Sequence, residues 1–304
     1  MIRYTRRKGM DLLELLKDHY LIENTSITSD VTKRRYLRAV RWLGEAVRHA
    51  PTTADLSDQN LAAVVSHLRE SRNQSNRTIN GTLECLKALW RWARDQGKAE
   101  RGPTMKPLKV QAKPPKAWRL DELERLVRAA DAQPGSIGGM PASIWWLTLL
   151  TIAMDTGARI TEMLSMRWEW IDWRMGSITV EASVRKGGRE YMVYRLRAMS
   201  INWLQERRKN DGLILPWGMD ESYLYKLYDN ILIAAGLPRS RDTKFHCLRK
   251  TFLTEIDANG GDATRAAGHS SRAITIRHYL DPTRSTTIHA DVIPFHPLQA
   301  IAAG

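Results

Sequence analysis

Between Arg101 and Lys116 the chain reads Arg-Gly-Pro-Thr-Met-Lys-Pro-Leu-Lys-Val-Gln-Ala-Lys-Pro-Pro-Lys. Each proline fixes φ and removes an amide donor, so neither a helix nor an interior strand can run through this stretch. It reads as an extended linker, and the chain must fold in separate pieces on either side of it. With 304 residues there is material for two ordinary domains. The expected division is a helical domain over 1–101, a Pro/Lys linker over 102–116, and a second domain over 117–304 that ends in a tail.

Ahead of the linker the apolar residues recur at helical spacing. Leu12, Leu13, Leu15 and Leu16 alternate with acids and lysines. Tyr36, Val40, Leu43 and Val47 mark a second amphipathic helix, ringed by Lys33, Arg34, Arg35, Arg38 and Arg41. Asp58 to Glu70 predicts a third, through Leu61, Val64, Val65 and Leu68, and Thr78 to Arg94 a fourth, through Ile79, Leu83, Leu86, Leu89 and Trp90. Helices joined by short polar loops predict a compact bundle.

Charge is unevenly placed. Residues 1–116 hold 23 Lys and Arg against 12 Asp and Glu, whereas residues 117–304 hold 24 against 21. A basic amino-terminal third points to a polyanionic partner, and the pI near 10 fits nucleic acid. Two distant cysteines, Cys85 and Cys247, offer neither a metal-binding spacing nor a disulfide framework, which suits a reducing cytosol. The basic start is followed by an apolar run broken by Asp11, Glu14, Lys17 and Asp18, unlike a signal peptide. The longest apolar stretch, Ile144 to Met154, is too short to span a bilayer, which takes about 20 residues, and predicts a buried helix.

The second domain is expected to be mixed but mostly helical. Leu120 to Val127, Ser143 to Met154 and Arg159 to Trp168 read as helices. Ser177 to Ala182 and Tyr191 to Leu196 are β-like runs flanking Lys186-Gly187-Gly188-Arg189, and paired glycines suit a hairpin turn. From Ile201 onward the pattern is mainly helical. Trp145, Trp146, Trp168, Trp170 and Trp173 crowd the apolar centre of this domain, where core packing explains them better than base stacking.

Four short stretches carry chemistry: Thr156-Gly157-Ala158-Arg159-Ile160-Thr161-Glu162, His246-Cys247-Leu248-Arg249, Gly268-His269-Ser270-Ser271, and Arg277-His278-Tyr279. Glu162 lies three residues after Arg159, on the same helical face, and can orient its guanidinium; taken alone the two read as a structural ion pair. His246 and Arg249 share a face for the same reason, although an isolated His-x-x-Arg is common. A planar, permanently charged guanidinium matches phosphate geometry, and two of them can stabilise a pentacoordinate phosphorane. A lone tyrosine near a carboxyl terminus usually packs; Tyr279 gains meaning from following Gly-His-Ser-Ser.

In order and in most spacings this set resembles the tyrosine recombinases, the phage integrase family, over roughly Leu61 to Leu280. The resemblance implies a helical core-binding bundle followed by a mixed, mostly helical catalytic domain with a small β-hairpin or sheet. It implies that Arg159, Lys186, His246, Arg249, His269 and Tyr279 are catalytic, with Glu162 in support. Tyr279 would attack a DNA phosphodiester and form a 3′-phosphotyrosyl link, without metal, ATP or other cofactor. Arg249 would bind a phosphate oxygen, His246 would take part in proton transfer, and His269 would hydrogen-bond a non-bridging oxygen. Lys186 would protonate the leaving 5′-oxygen, which an arginine, with its pKa above about 12, does poorly.

The sequence departs from the family pattern in places. His269 to Tyr279 spans ten positions, one more than usual; Arg249 to His269 spans twenty, fewer than usual; Ala267 replaces the usual leucine. The expected partner is double-stranded DNA with inverted-repeat core sites, bound by a homotetramer on two sites whose C-terminal tails are exchanged between subunits, and not a membrane. Expected DNA contacts are Lys33, Arg34, Arg35, Arg38, Arg41, Arg77, Lys87, Arg91, Lys113, Lys116, Arg185 and Arg189. Two rivals remain: a type IB topoisomerase, which would relax any supercoiled plasmid, and a non-catalytic site-specific DNA-binding protein, which would have lost part of the set.

Overall fold

The computed structural model of the chain describes residues 9–99, 102–185 and 190–284. It separates into two compact units that divide between Ala112 and Lys113. Both are built mainly from helices, and two small antiparallel sheets lie in the second.

In the first unit Asp11 caps α1 (Leu12–Glu14), its carboxylate accepting from the Leu13 and Glu14 amides. The helix widens to π geometry over Leu15–Tyr20 and returns as α2 (Leu21–Glu23). Next come α3 (Asp30–Val47), α4 (Asp58–Glu70) and α5 (Asn76–Asp95). Ser57 and Ser75 cap the last two through their side-chain oxygens. The expected stripes face inward: Leu43, Leu61, Val64, Leu68, Ile79, Leu86 and Leu89 are buried together with Leu12, Leu15 and Leu16.

The proline-rich segment has no regular structure, and helix side chains take up its backbone groups. Asp58 accepts from the Thr104 and Met105 amides, Asn80 pairs with both backbone groups of Leu108, and Asn76 donates to the Lys109 carbonyl. Met105 and Leu108 pack on the bundle core. Farther along, the Trp118 amide donates to Thr251 and the Ala117 amide to Asp281, which ties that end to the second unit.

The second unit runs α6 (Leu120–Asp131), β1 (Ser136–Ile137), β2 (Met140–Pro141), α7 (Ala142–Thr156), α8 (Ile160–Leu164), β3 (Ile171–Asp172), β4 (Ser177–Val180), β5 (Met192–Arg195), α9 (Ala198–Gln205), α10 (Glu221–Ala234), α11 (Phe245–Ala258), α12 (Ala263–Ala267) and α13 (Arg272–His278). Strands order β3-β4-β5, with Ile178 opposite Tyr194 and Val180 opposite Met192. α7 is buried on nearly every side, as its continuous apolar run requires. Trp145, Trp146 and Trp168 are core residues, and Trp170 and Trp173 pack against them; Trp146, Tyr228 and Phe245 stack. Among the described residues no helix is long and apolar enough to cross a membrane.

Local expectation and structure part at three places. The helix expected over Arg159 to Trp168 stops at Leu164, because the backbone of Met166 and Trp168 pairs instead with Ile214 and Gly212. That long-range pairing overrides local helical propensity. The β1–β2 pair and β3 have two residues per strand, too few to show an alternation in sequence.

Candidate functional site

α7 ends at Gly157, whose φ of +56° is left-handed and where an added Cβ would stand 2.2 Å from Phe252 Cδ1. Only glycine fits there, and the turn delivers Arg159 to the start of α8. Glu162, nearly fully buried, accepts from the Arg159 amide at 2.9 Å and from its Nη1 at 2.8 Å. Burial works against the Arg159 charge, but the Glu162 carboxylate more than offsets it, so the guanidinium pKa lies above its ordinary value.

Arg249 projects from α11 and is 2% exposed. Its Nη1 donates to the Gly157 carbonyl at 2.7 Å and its Nη2 to the Ala267 carbonyl at 2.8 Å. One guanidinium thus ties the turn before Arg159 to the end of α12. Burial, and then the charge of Arg159, lower its pKa, although an arginine keeps its charge at any ordinary pH. Two repelling guanidiniums, of which only Arg159 is paired to a carboxylate among the described residues, make a site for an anion.

Past Ala267 the chain turns at Gly268, φ +63°, and presents His269. The His269 Nδ1 lies 3.0 Å from Thr275 Oγ1, on α13. Tyr279 follows α13 directly. Its carbonyl accepts from Thr254, and buried Leu280 packs with Leu253, Ala263 and Ala267, so the backbone on both sides is anchored. The Tyr279 ring centre lies 4.3 Å from that of His269, 5.1 Å from that of His246 and 5.4 Å from Arg249 Cζ. α12 is five residues and α13 seven, short helices that still bring Tyr279 against both histidines.

Both histidines hold protons weakly. His246 is pushed down to about 4 by desolvation of its ring and then by Arg249, Lys250 and Arg159. His269 is also pushed down to about 4, by burial and then by Arg249 and Arg159. Each is therefore neutral at ordinary pH.

The structure therefore brings together Arg159, Glu162, His246, Arg249, His269 and Tyr279. Lys186 and Arg189 lie outside the described residues. Arg185, beside them, donates from Nη1 to the Glu190 carbonyl at 2.8 Å, and its Nη2 lies 2.6 Å from where a Gly268 Cβ would stand. The hairpin root thus abuts the turn that carries His269. Among the other basic residues, Arg34, Arg35, Arg38, Arg41, Arg77, Arg91 and Lys113 are exposed. Arg35 also donates to the Gly81 carbonyl, and Lys33 pairs with Asp30. Lys87 bonds to the Met105 carbonyl, and Lys116 pairs with Glu122 at 2.9 Å, so both ammonium groups have partners inside the protein.

Two residues at the site had no signal in spacing. Thr275 is buried and holds His269. Tyr194 is 6% exposed, on the inward face of β5 between exposed Val193 and Arg195. Its one sequence signature is that alternation.

Known proteins share this architecture. Residues 116–285 match the phage integrase family. The tyrosine recombinase XerD of Listeria monocytogenes is 23% identical over 312 residues, which cover 93% of this chain and 99% of that protein. Two solved structures are similar in fold. The integrase of transposon Tn1549, in complex with circular intermediate DNA, has a TM-score of 0.69 at 15% identity, over 93% of this chain and 97% of that one. A lambda integrase tetramer bound to a Holliday junction has a TM-score of 0.69 at 17% identity, over 89% of this chain and 78% of that one.

Proposed function

The chain belongs to the phage integrase family of tyrosine recombinases, and from that premise we propose that it cuts and rejoins specific DNA sites through a 3′-phosphotyrosyl intermediate formed on Tyr279. The observation that carries the reading is the contact of the Tyr279 ring with His246, His269 and the Arg249 guanidinium. A phenol oxygen is a weak nucleophile at its free pKa of about 10 and needs a nearby base or cations. Here both stand beside it.

The Tyr279 oxygen attacks the scissile phosphorus while the bond to the 5′-oxygen breaks. Neutral His246 receives the phenolic proton. Arg159 and Arg249 carry the extra negative charge of the phosphorane, and His269 hydrogen-bonds a non-bridging oxygen. The leaving 5′-oxygen takes its proton from Lys186. A 5′-hydroxyl from the partner strand then attacks the phosphotyrosine and restores the tyrosine. One phosphodiester is exchanged for another, so the reaction needs no nucleotide, and the guanidiniums supply the charge that a metal supplies elsewhere. The target is duplex DNA with inverted-repeat core sites. Four protomers on two sites is the arrangement favoured by the lambda integrase tetramer on a Holliday junction. The tail expected to pass between subunits falls mostly in residues 285–304, outside the described residues.

The test is Tyr279→Phe on a suicide duplex nicked beside the core site. The wild type is expected to leave a covalent protein–DNA band that survives denaturation. The variant is expected to bind equally well and leave none. A band from the Phe variant would assign the nucleophile to another residue.

A further inference from the structure

Among the described residues, four buried polar atoms around this site have no hydrogen-bond partner: Tyr194 Oη, Arg249 Nε, Arg185 Nε and His269 Nε2. Buried polar atoms are nearly always paired, so a group of orphans in one place calls for a reason. Two of them complement each other chemically. Arg249 Nε–H only donates, whereas a phenol oxygen both accepts and donates.

Tyr194 stands where such a pairing would matter. Its partner across the sheet is Ile178, and its ring points inward while Tyr191 and Val193 are exposed. The charges that act on its hydroxyl are, in order, those of Arg249, Glu162, Arg185 and Arg159. Met192, two residues earlier on the same strand face, lies 3.5 Å from where a Gly268 Cβ would stand, next to the Ala267 carbonyl that holds Arg249, so this face of β5 meets the arginine site. The Tyr194 oxygen has no open surface, so it does not itself reach DNA.

We propose that Tyr194 is a positioning residue that couples the two arginines: in the DNA-bound protein its oxygen accepts from Arg249 Nε–H and its hydroxyl donates to the Glu162 carboxylate. The inference rests on the phosphate-binding role given above to Arg159 and Arg249. Both Nη atoms of Arg249 are already fixed, to Gly157 and Ala267, so a bond at Nε would lock the remaining edge of the guanidinium. Glu162 is the carboxylate that orients Arg159, so the chain Arg249–Tyr194–Glu162–Arg159 would give the two cations one shared geometry. A phosphate bound by the guanidiniums relieves their repulsion and lets the phenol close on the Nε–H of the held Arg249. Burial first, opposed by Arg249 and reinforced by Glu162, raises the Tyr194 pKa and keeps the proton it must donate.

Tyr194→Phe removes the oxygen and keeps the ring. On a nicked duplex carrying the inverted repeat from the DNA flanking its gene, the variant is expected to form the covalent complex about tenfold more slowly with unchanged affinity. Arg249→Lys keeps a cation but has no Nε–H. In that background, Tyr194→Phe is expected to cost nothing further, because the partner is already gone. A Phe variant as fast as wild type overturns the proposal, and so does an equal loss in the Arg249→Lys background. A second measurement needs no variant. In the unmodified protein, the Arg249 Nε–H resonance is expected to move downfield and exchange more slowly with water when the same duplex, without a nick, is added. An unmoved resonance overturns the proposal. A wild-type protein that forms no covalent complex on the nicked duplex speaks instead against the recombinase reading, and the resonance then decides the Tyr194 pairing on its own.

Discussion

At the scale of single residues the site is governed by charge held in poor solvent. Arg249 is buried with two carbonyls, half-buried Arg159 is held by one carboxylate, and the two guanidiniums attract more negative charge than these supply. Burial of the two rings, and then the positive field of the arginines, depresses His246 and His269 to about 4, against an ordinary value of 6.5. This has a consequence for stability. As the pH falls through 6.5 the unfolded chain binds protons that the folded protein does not. Stability that is present above 6.5 is therefore lost as the pH falls toward 4. The melting temperature of the DNA-free protein should drop across that window, and drop less in a His246→Gln/His269→Gln double variant. Equal drops in the two proteins would show that other groups govern the acid limb. Tyr279 could be found from sequence because it follows Gly-His-Ser-Ser. Tyr194 could not, since one tyrosine on a strand has no spacing to mark it.

At the scale of elements, two described turns, at Gly157 and Gly268, position the chemistry. Gly157 releases the chain from α7 in a left-handed conformation that a side chain resists by about 1–2 kcal/mol. An added methyl would also meet the Phe252 ring at 2.2 Å. Gly157→Ala is therefore expected to cost at least about 2 kcal/mol, which lowers the melting temperature by several degrees in a chain of this size. Cleavage should fall with it, since the Gly157 carbonyl holds Arg249. A variant of unchanged melting temperature and activity would mean that Phe252 and the turn yield cheaply. Lys186, proposed above as the acid, belongs to the connection between β4 and β5. Lys186→Ala should be slow on an ordinary phosphodiester and regain most of its rate on a 5′-bridging phosphorothiolate, whose sulfur leaves without a proton. Arg185→Ala should show no selective rescue, because its loss removes a contact to Glu190 and Gly268 rather than an acid. Equal slowness of Lys186→Ala on both substrates would place the acid elsewhere. The turn at Gly268 sets His269 against Tyr279.

At the scale of the whole molecule, charge and chemistry occupy different parts of the chain. The excess of Lys and Arg lies in residues 1–116, whereas the candidate catalytic set lies beyond residue 156. Binding strength and reaction rate should therefore respond to different substitutions. Arg77 and Arg91 are exposed on α5, whereas Lys87 and Lys116 are engaged with Met105 and Glu122. Each phosphate contact contributes about 0.9 to the slope of log affinity against log salt. Arg77→Ala and Arg91→Ala should each reduce that slope by about one and leave the cleavage rate of bound DNA unchanged. Lys87→Ala and Lys116→Ala should leave the slope nearly as it is. The reverse pattern, measured by titration at several salt concentrations, would move the DNA contacts from α5 to the engaged lysines.

Much of this was legible before any coordinates. The sequence by itself determined the amphipathic helices of the first unit, the β4–β5 pair and the tryptophan-rich core, and its resemblance to a known family picked out six residues that the structure brings together. These follow from periodicity, from glycine and proline chemistry, and from short motifs, all of which act over a few residues. Tertiary structure alone decided what depends on distant partners. The helix after Arg159 ends early because residues near Gly212 claim its backbone. The proline-rich segment is held by Asp58, Asn76 and Asn80. Lys87 and Lys116 are engaged rather than free, and strand pairing sets Tyr194 on the face of β5 that meets the arginine site. Each of these is set by a hydrogen bond or a charge contributed by residues far along the chain, and local sequence carries no record of which partner wins.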